Sequence, residues 1–326
     1  MSRVDNREGI MKRYPFLRFA VLPLVLLLVI SARTDAQPAA GASRDNPNLY
    51  FGQPAPGKTA VKFAEGIVST DGHEFAISFT PDGRECFFSR QIPDVGNRVV
   101  WTHLTDEGWS ELEPAPVAGD YEGFEPILSP DGNTLVYQSF VPDPETGQVG
   151  MHQVHLHRTQ QGWGQREIPG LPFNPGRAMY ASMTSDGIVY TTDISKGFGD
   201  TKIVRSRLVD GVYQPFEVLP DRINAAPFTT YPFISADESY MIYTMKNFPY
   251  PVLDGLYLTY RDKNGDWSKP QKIDTGLESP SMPFVTADGK YLFMTQINHE
   301  TDTGDIYWMD AGFIEEGRAA AVGATR

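Results

Sequence analysis

The strongest constraint on this chain is a six-residue signature that occurs five times. It reads SFTPDG ending at Gly83, ILSPDG ending at Gly132, SMTSDG ending at Gly187, FISADE ending at Glu238 and FVTADG ending at Gly289. Its aspartates, Asp82, Asp131, Asp186, Asp237 and Asp288, are spaced by 49, 55, 51 and 51 residues. A near-constant period of about 50 residues marks a solenoid or radial repeat, in which each copy buries the apolar face of its neighbour.

The flanks of the signature identify the unit. Short apolar stretches such as 75–79 and 231–234 precede it, and ECFFS, TLVYQS, IVYTT, YMIYT and YLFMT follow it. Aromatic and β-branched residues of this kind suit half-buried strands. Asp-Gly between two such runs is a hairpin signal, because glycine accepts positive φ and aspartate tolerates it. The fourth copy, with Asp237-Glu238, predicts a different turn. About 25 residues on, a second signature reads VVWTHLTDEGW, QVHLHRTQQGW, IVRSRLVDGVY and LYLTYRDKNGDW, closing on Trp109, Trp163, Tyr213 and Trp267. A further strand follows each, for example 270–276. Four short strands per repeat make a propeller blade. The fifth copy ends after Asp310, and residues 59–67, TAVKFAEGI, supply the missing strand from the N-terminal side. The expectation is an all-β fold: a β-propeller of five four-stranded blades over 58–317, its ring closed by that N-terminal strand, then a C-terminal tail, 318–326. Closure removes exposed sheet edges.

Ahead of the repeats, Lys12, Arg13 and Arg18 precede a twelve-residue apolar run, FAVLPLVLLLVI, and Thr34-Asp35-Ala36 offers a cleavage site. The run is too short for a membrane span of about 20 residues and fits a signal-peptide core of about 7–15. Residues 1–36 are therefore expected to be a signal peptide, with Met1 or Met11 as the start. Residues 37–57, rich in Pro, Gly, Ala and Asn, are expected to be a flexible linker. The mature protein is then periplasmic or secreted, without membrane insertion. The formal net charge of −13 excludes a nucleic-acid binder, which needs a basic footprint. The single cysteine, Cys86, excludes an intramolecular disulfide and a multi-cysteine zinc site, and its place in a strand suggests a buried apolar residue.

The PDG-centred repeat, its trailing strand and the closing DIYW resemble the WD40-like propeller repeats of TolB-type proteins, over roughly residues 58–317. The resemblance implies a periplasmic or secreted interaction platform. A minority of similar propellers are polysaccharide lyases or glycoside hydrolases.

In a propeller the first strand of each blade lines the central channel. Six residues before the signature aspartates stand Ala76, Glu125, Tyr180, Tyr231 and Met282; eight before stand Glu74, Gly123, Ala178, Thr229 and Pro280. Alternation places both sets on one face. One channel mouth is thus expected to gather Glu74, Glu125, Tyr180 and Tyr231, with His73, Glu122 and Arg177 on its rim. Glu74 and Glu125 are the candidate catalytic pair, since glycoside hydrolysis uses two carboxylates about 5–9.5 Å apart; the tyrosines offer flat faces and hydroxyls. The alternative is that Glu125 bonds backbone amides and the tyrosines fill space.

No metal or cofactor is expected. His155 and His157 alternate on one strand, with His152 nearby, but no third ligand is evident and an exposed blade face is their expected home. His73-Glu74 lacks the second histidine of a zinc-protease motif, since Ile77 stands there. Asp262–Asp266 begins like a calcium loop, but the sixth and twelfth positions, which need glycine and glutamate, are Trp267 and Ile273, and the stretch falls where the other repeats turn. The acidic stretch from Glu300 to Asp305 is read as solvated charge. There is no G-x-S-x-G elbow or phosphate loop. The expected role is non-catalytic binding of an envelope or secreted protein, or of a glycan, by a monomer; the insertions 91–98, 142–150 and 247–254 are natural contact loops. The alternative is a carbohydrate-active hydrolase or lyase using Glu74 and Glu125.

Overall fold

The computed structural model describes residues 46–115, 121–246, 255–298, 300–301 and 303–323, with side chains to 318. The expected signal peptide, the first part of the linker and the 247–254 insertion lie outside the described residues.

Each repeat folds as an antiparallel meander. Sheet I comprises His73–Phe79, Glu85–Ile92, Gly96–Thr105 and Glu113–Pro114. Sheet II comprises Gly123–Leu128, Thr134–Pro142 and Val149–Thr159, its outer edge reduced to a bridge between His155 and Glu167. Sheet III comprises Ala178–Met183, Val189–Asp193, Lys202–Ser206 and Glu217–Val218. Sheet IV comprises Phe228–Ile234, Tyr240–Lys246, Gly255–Tyr260 and Gln271–Lys272. Sheet V comprises Pro280–Val285, Tyr291–Asn298 and Thr303–Asp310, and its outer neighbour is the N-terminal Val61–Lys62. The first strands neighbour one another in chain order, and that of sheet V lies beside that of sheet I. The fold is a β-propeller.

The repeated signature has a chemical cause. Thr80, Ser129, Thr184 and Thr286 each donate a side-chain hydroxyl to the aspartate two residues on. The same hydroxyls accept the amides of Glu85, Thr134, Ile188 and Tyr291, and Ser235 accepts that of Tyr240. This hydroxyl-carboxylate clamp fastens the turn between first and second strands. Glycine follows the aspartate where φ is positive, at 83, 132, 187 and 289. Glu238 holds the same conformation at φ 59 because its carboxylate bonds Arg205, Arg261 and the Tyr190 hydroxyl.

Apolar clusters fill the spaces between sheets. Phe87, Leu135, Tyr137 and Val154 pack between I and II; Tyr190, Ile203, Met241 and Tyr243 between III and IV. Packing is sparsest between II and III. There a loop inserts Phe173, and Asn174 mimics an outer strand by exchanging two hydrogen bonds with the Gln153 backbone. Asn224 repeats the device on Ile203.

The N-terminal strand is shorter than 59–67. After Val61–Lys62 the chain turns at Ala64, and Phe63 is buried against Phe293 and Trp308. Asp305, at the end of the acidic stretch, pairs with Lys62 at 2.9 Å. Residues 46–57 differ from a free linker: Tyr50 packs its ring on Phe79, Tyr291 and Trp308, Phe51 stacks on Trp109 at 4.4 Å, and Trp109 bonds the Asn48 carbonyl. Aromatic residues supply the burial that the Pro- and Gly-rich surroundings lack. The tail from 318 is likewise continuous with a helix, Phe313–Gly323, anchored by Ile314 in the core and by the Tyr260 hydroxyl on the Ile314 carbonyl. Among the described residues no helix is long and apolar enough to cross a membrane.

Candidate functional site: a closed axis and a groove beside it

Each first strand carries one extra residue relative to its partner, a β-bulge. The residues in it are Ala76, Glu125, Tyr180, Tyr231 and Met282, all with φ between 51 and 57. That left-handed conformation costs an L-residue about 1–2 kcal/mol. At four of the five positions the displaced amide is held by another group. Ala76 donates to Thr295 Oγ1 at 3.1 Å, Glu125 to Ser89 Oγ at 2.7 Å and Tyr231 to Thr192 Oγ1 at 3.1 Å, each in the preceding sheet. Sheet II has Gln138 where these hydroxyls stand, and the Tyr180 amide goes to the Glu125 carboxyl instead.

This gathers Glu125, Tyr180 and Tyr231. The two tyrosine rings meet edge to face at 5.3 Å, and Tyr180, fully buried, sends its hydroxyl to the Pro283 carbonyl of sheet V at 2.9 Å. A side chain of sheet III thus reaches the first strand of a non-adjacent sheet. Glu125 is 4% exposed, and its Oε2 has no hydrogen-bond partner among the described residues. Burial pushes its carboxyl up from 4.5 to about 8, only partly opposed by the Tyr180 amide. Burial, then the neighbouring Glu125, raises the Tyr180 hydroxyl well above its ordinary value.

The other expected site residues are committed elsewhere. Glu74 bonds Thr70 Oγ1 at 2.7 Å and Arg90 Nε at 2.9 Å, and Arg90 reaches the Ile67 and Val68 carbonyls. This pair fastens the N-terminal loop to sheet I. The bulge interrupts the alternation that had grouped Glu74 with Glu125. Glu122 accepts the Asn97 amide and leans against Gly96, where a Cβ would fall 2.6 Å from its carboxyl, so it clamps the 91–98 turn. Arg177 is exposed, and His73 packs on Phe75 beside its bridge to Gly304.

His152 and His155 are buried, not on an exposed face; the loop through Glu167 and Phe173 covers His155. His155 bonds the Gln153 amide, and burial lowers it from 6.5 to about 4; His157 is exposed beside Glu167. Cys86 is fully buried, and burial pushes its thiol up. Asp262 Oδ1 accepts the Asn264 and Asp266 amides, which makes its loop a hairpin turn.

Among the described residues, the surface cavities away from the axis include the following two. One, of about 580 Å³, is bounded by Lys58, Tyr260, Lys272, Met309 and Phe313. The other, of about 440 Å³, opens between sheets I and II and is lined by Arg84, Trp101, His103, Arg158, Gln161 and Trp163. This groove is not among the first-strand positions that the repeat singles out, although Trp101, His103, Arg158 and Trp163 stand inside the second signature.

No family model matches the chain, and no curated protein matches it in sequence. Similar solved structures include TolB from Acinetobacter baumannii (14% identity, TM-score 0.41, 74% of this chain and 57% of that one). The arabinanase Arb43A of Bacillus subtilis is 13% identical, with TM-score 0.46, over 74% of this chain and 95% of that one. The periplasmic gluconolactonase PpgL of Pseudomonas aeruginosa is 14% identical, with TM-score 0.39, over 71% and 70%. An arabinanase and a gluconolactonase differ in what they act on, and a likeness at such identity speaks of the fold alone.

Proposed function

We propose that this chain is an exported, non-catalytic binding module, a β-propeller that presents its inter-sheet surfaces and loops to a partner. The observation that carries this reading is the hydrogen bond from Tyr180 to the Pro283 carbonyl. It stoppers the axis at the level of Glu125, where a hydrolytic site would need an open bore. Glu74, the second candidate carboxylate, is held by Arg90 and Thr70, so an acid/base pair is not assembled. Export rests on the basic, apolar leader.

One observation favours the alternative of a carbohydrate-active enzyme. A carboxyl raised to about 8 beside two tyrosines is chemically suited to general-acid work. The test is product release from arabinan, galactan, xylan and pectin between pH 5 and 9, with the full chain and Glu125→Gln side by side. Neither protein is expected to release reducing ends or unsaturated uronate. Turnover by the full chain that Glu125→Gln abolishes would overturn the binding-module reading.

A further inference from the structure

The groove between sheets I and II has a counterpart between sheets III and IV, and the comparison is informative. At both places an aromatic residue of the second strand meets a tryptophan of the next sheet edge to face. Phe87 and Trp163 lie 5.9 Å apart at 86°; Tyr190 and Trp267 lie 6.3 Å apart at 85°. At both an arginine lies over the tryptophan, Arg158 at 4.4 Å and Arg261 at 5.9 Å.

Between III and IV the unit is sealed. Glu238 places its carboxylate between Arg205 and Arg261, Arg222 bonds the Trp267 carbonyl, and Trp267 is 4% exposed. Between I and II the residue at the place of Glu238 is Gly132, which adds no side chain. Trp163 is half-buried, and the space above the unit is the 440 Å³ groove.

From this geometry we infer that the groove is a binding site for a neutral oligosaccharide, an inference that rests on the binding-module reading and names its ligand class. The walls are flat. Trp101 and His103 stack at 4.7 Å and 18°, and Trp163 is paired with Arg158. Indole surfaces suit the C–H faces of sugar rings, because they combine an apolar body with a polar edge. The rim supplies hydrogen-bonding groups of both kinds. The Arg84 guanidinium has one bond to the Leu104 carbonyl and keeps further donors, and the exposed Gln161 amide offers both a donor and an acceptor.

Charge points to the neutral class. Arg84 and Arg158 are matched in number by Asp82 and Glu85, and Glu85 is engaged by Arg158 and by the Trp101 indole N–H. Such a lining carries no net formal charge, so it does not concentrate ions of either sign. The volume lies within the ~300–1,000 Å³ of small-ligand pockets.

The test is an array of linear oligosaccharides, trimers to hexamers, neutral ones from arabinan, galactan, xylan, glucan and mannan beside acidic ones from pectate and alginate, probed with the full chain. Tryptophan emission titrations with the strongest probe follow. Saturable binding is expected, with a change in emission and at least tenfold weakening in Arg84→Ala and in Gln161→Ala. These two side chains leave the Phe87–Trp163 core contact intact, so both variants keep the wild-type circular dichroism spectrum. Absence of binding anywhere on the array overturns the inference, as does binding that both variants retain. Binding only to acidic oligosaccharides overturns the neutral class. All three failures leave the binding-module reading in place. Turnover lost in Glu125→Gln would remove that reading instead.

Discussion

Replacing Glu125 by glutamine isolates the energetic consequence of a carboxyl shut into the axis. In the folded chain this group titrates near 8; its ordinary value is 4.5. Between those limits the unfolded chain has released the proton and the folded chain has kept it. Stability therefore falls as pH rises, by about 1.4 kcal/mol per pH unit. His155 acts in the opposite sense over a lower window. It is lowered from 6.5 to about 4, so the unfolded chain binds the extra proton there, and stability rises with pH up to 6.5. The two slopes offset each other from about 4.5 to 6.5. From 6.5 to 8 only the Glu125 slope remains, with a loss of about 2 kcal/mol, or roughly 4–8 °C in Tm. Glu125→Gln keeps the shape, accepts the Tyr180 amide through its carbonyl oxygen and cannot ionise. Urea and thermal unfolding of both proteins from pH 5 to 9 measure the difference. The wild-type chain is expected to lose stability above 6.5 and the variant to stay level, ending on the order of 4 kcal/mol more stable at pH 8.5. A level wild-type profile, or a variant less stable at pH 8.5, would refute the reasoning.

Glu74→Gln removes the charge facing Arg90 at 2.9 Å; a loss of about 2–3 kcal/mol is expected in urea unfolding, and an unchanged midpoint would count against its anchoring role. Glu238→Gly restores the glycine of the other repeats and relieves φ 59, yet it strips Arg205 and Arg261 of their shared carboxylate. A net loss of about 1–2 kcal/mol is expected, and a more stable variant would show that strain dominates. Tyr50→Ala removes a ring from among Phe79, Tyr291 and Trp308; about 3 kcal/mol of destabilisation is expected, whereas a free linker would give none.

The turns were readable in the sequence because their chemistry admits few residues. A hydroxyl, an aspartate two positions on and a residue tolerant of positive φ make the clamp, and Thr80, Asp82 and Gly83 show it as plainly as Thr286, Asp288 and Gly289 do. The bulges were not readable. Ala76, Glu125, Tyr180, Tyr231 and Met282 share no side-chain property; what they share is a backbone conformation, and in the first four an amide held from outside the strand. Alternation therefore grouped Glu74 with Glu125, although one fastens a loop and the other a neighbouring backbone amide. The burial of His155 is hidden from the sequence for a related reason: a strand face cannot tell from its own pattern that a distant loop, here carrying Glu167 and Phe173, will cover it.

The same bulges separate frame from furnishing. At Ala76, Glu125 and Tyr231 the backbone is fixed by a hydroxyl that belongs to another sheet, and the side chain takes no part in that bond. The sizes already present run from a methyl group to a phenol. Ala76 and Tyr231 behave as sockets: the side chain can be exchanged while the ladder that holds it stays as it is. Tyr180 is the exception, because its amide rests on the Glu125 carboxyl and its ring on Tyr231; there stopper and frame share side chains, and exchanging one disturbs the other.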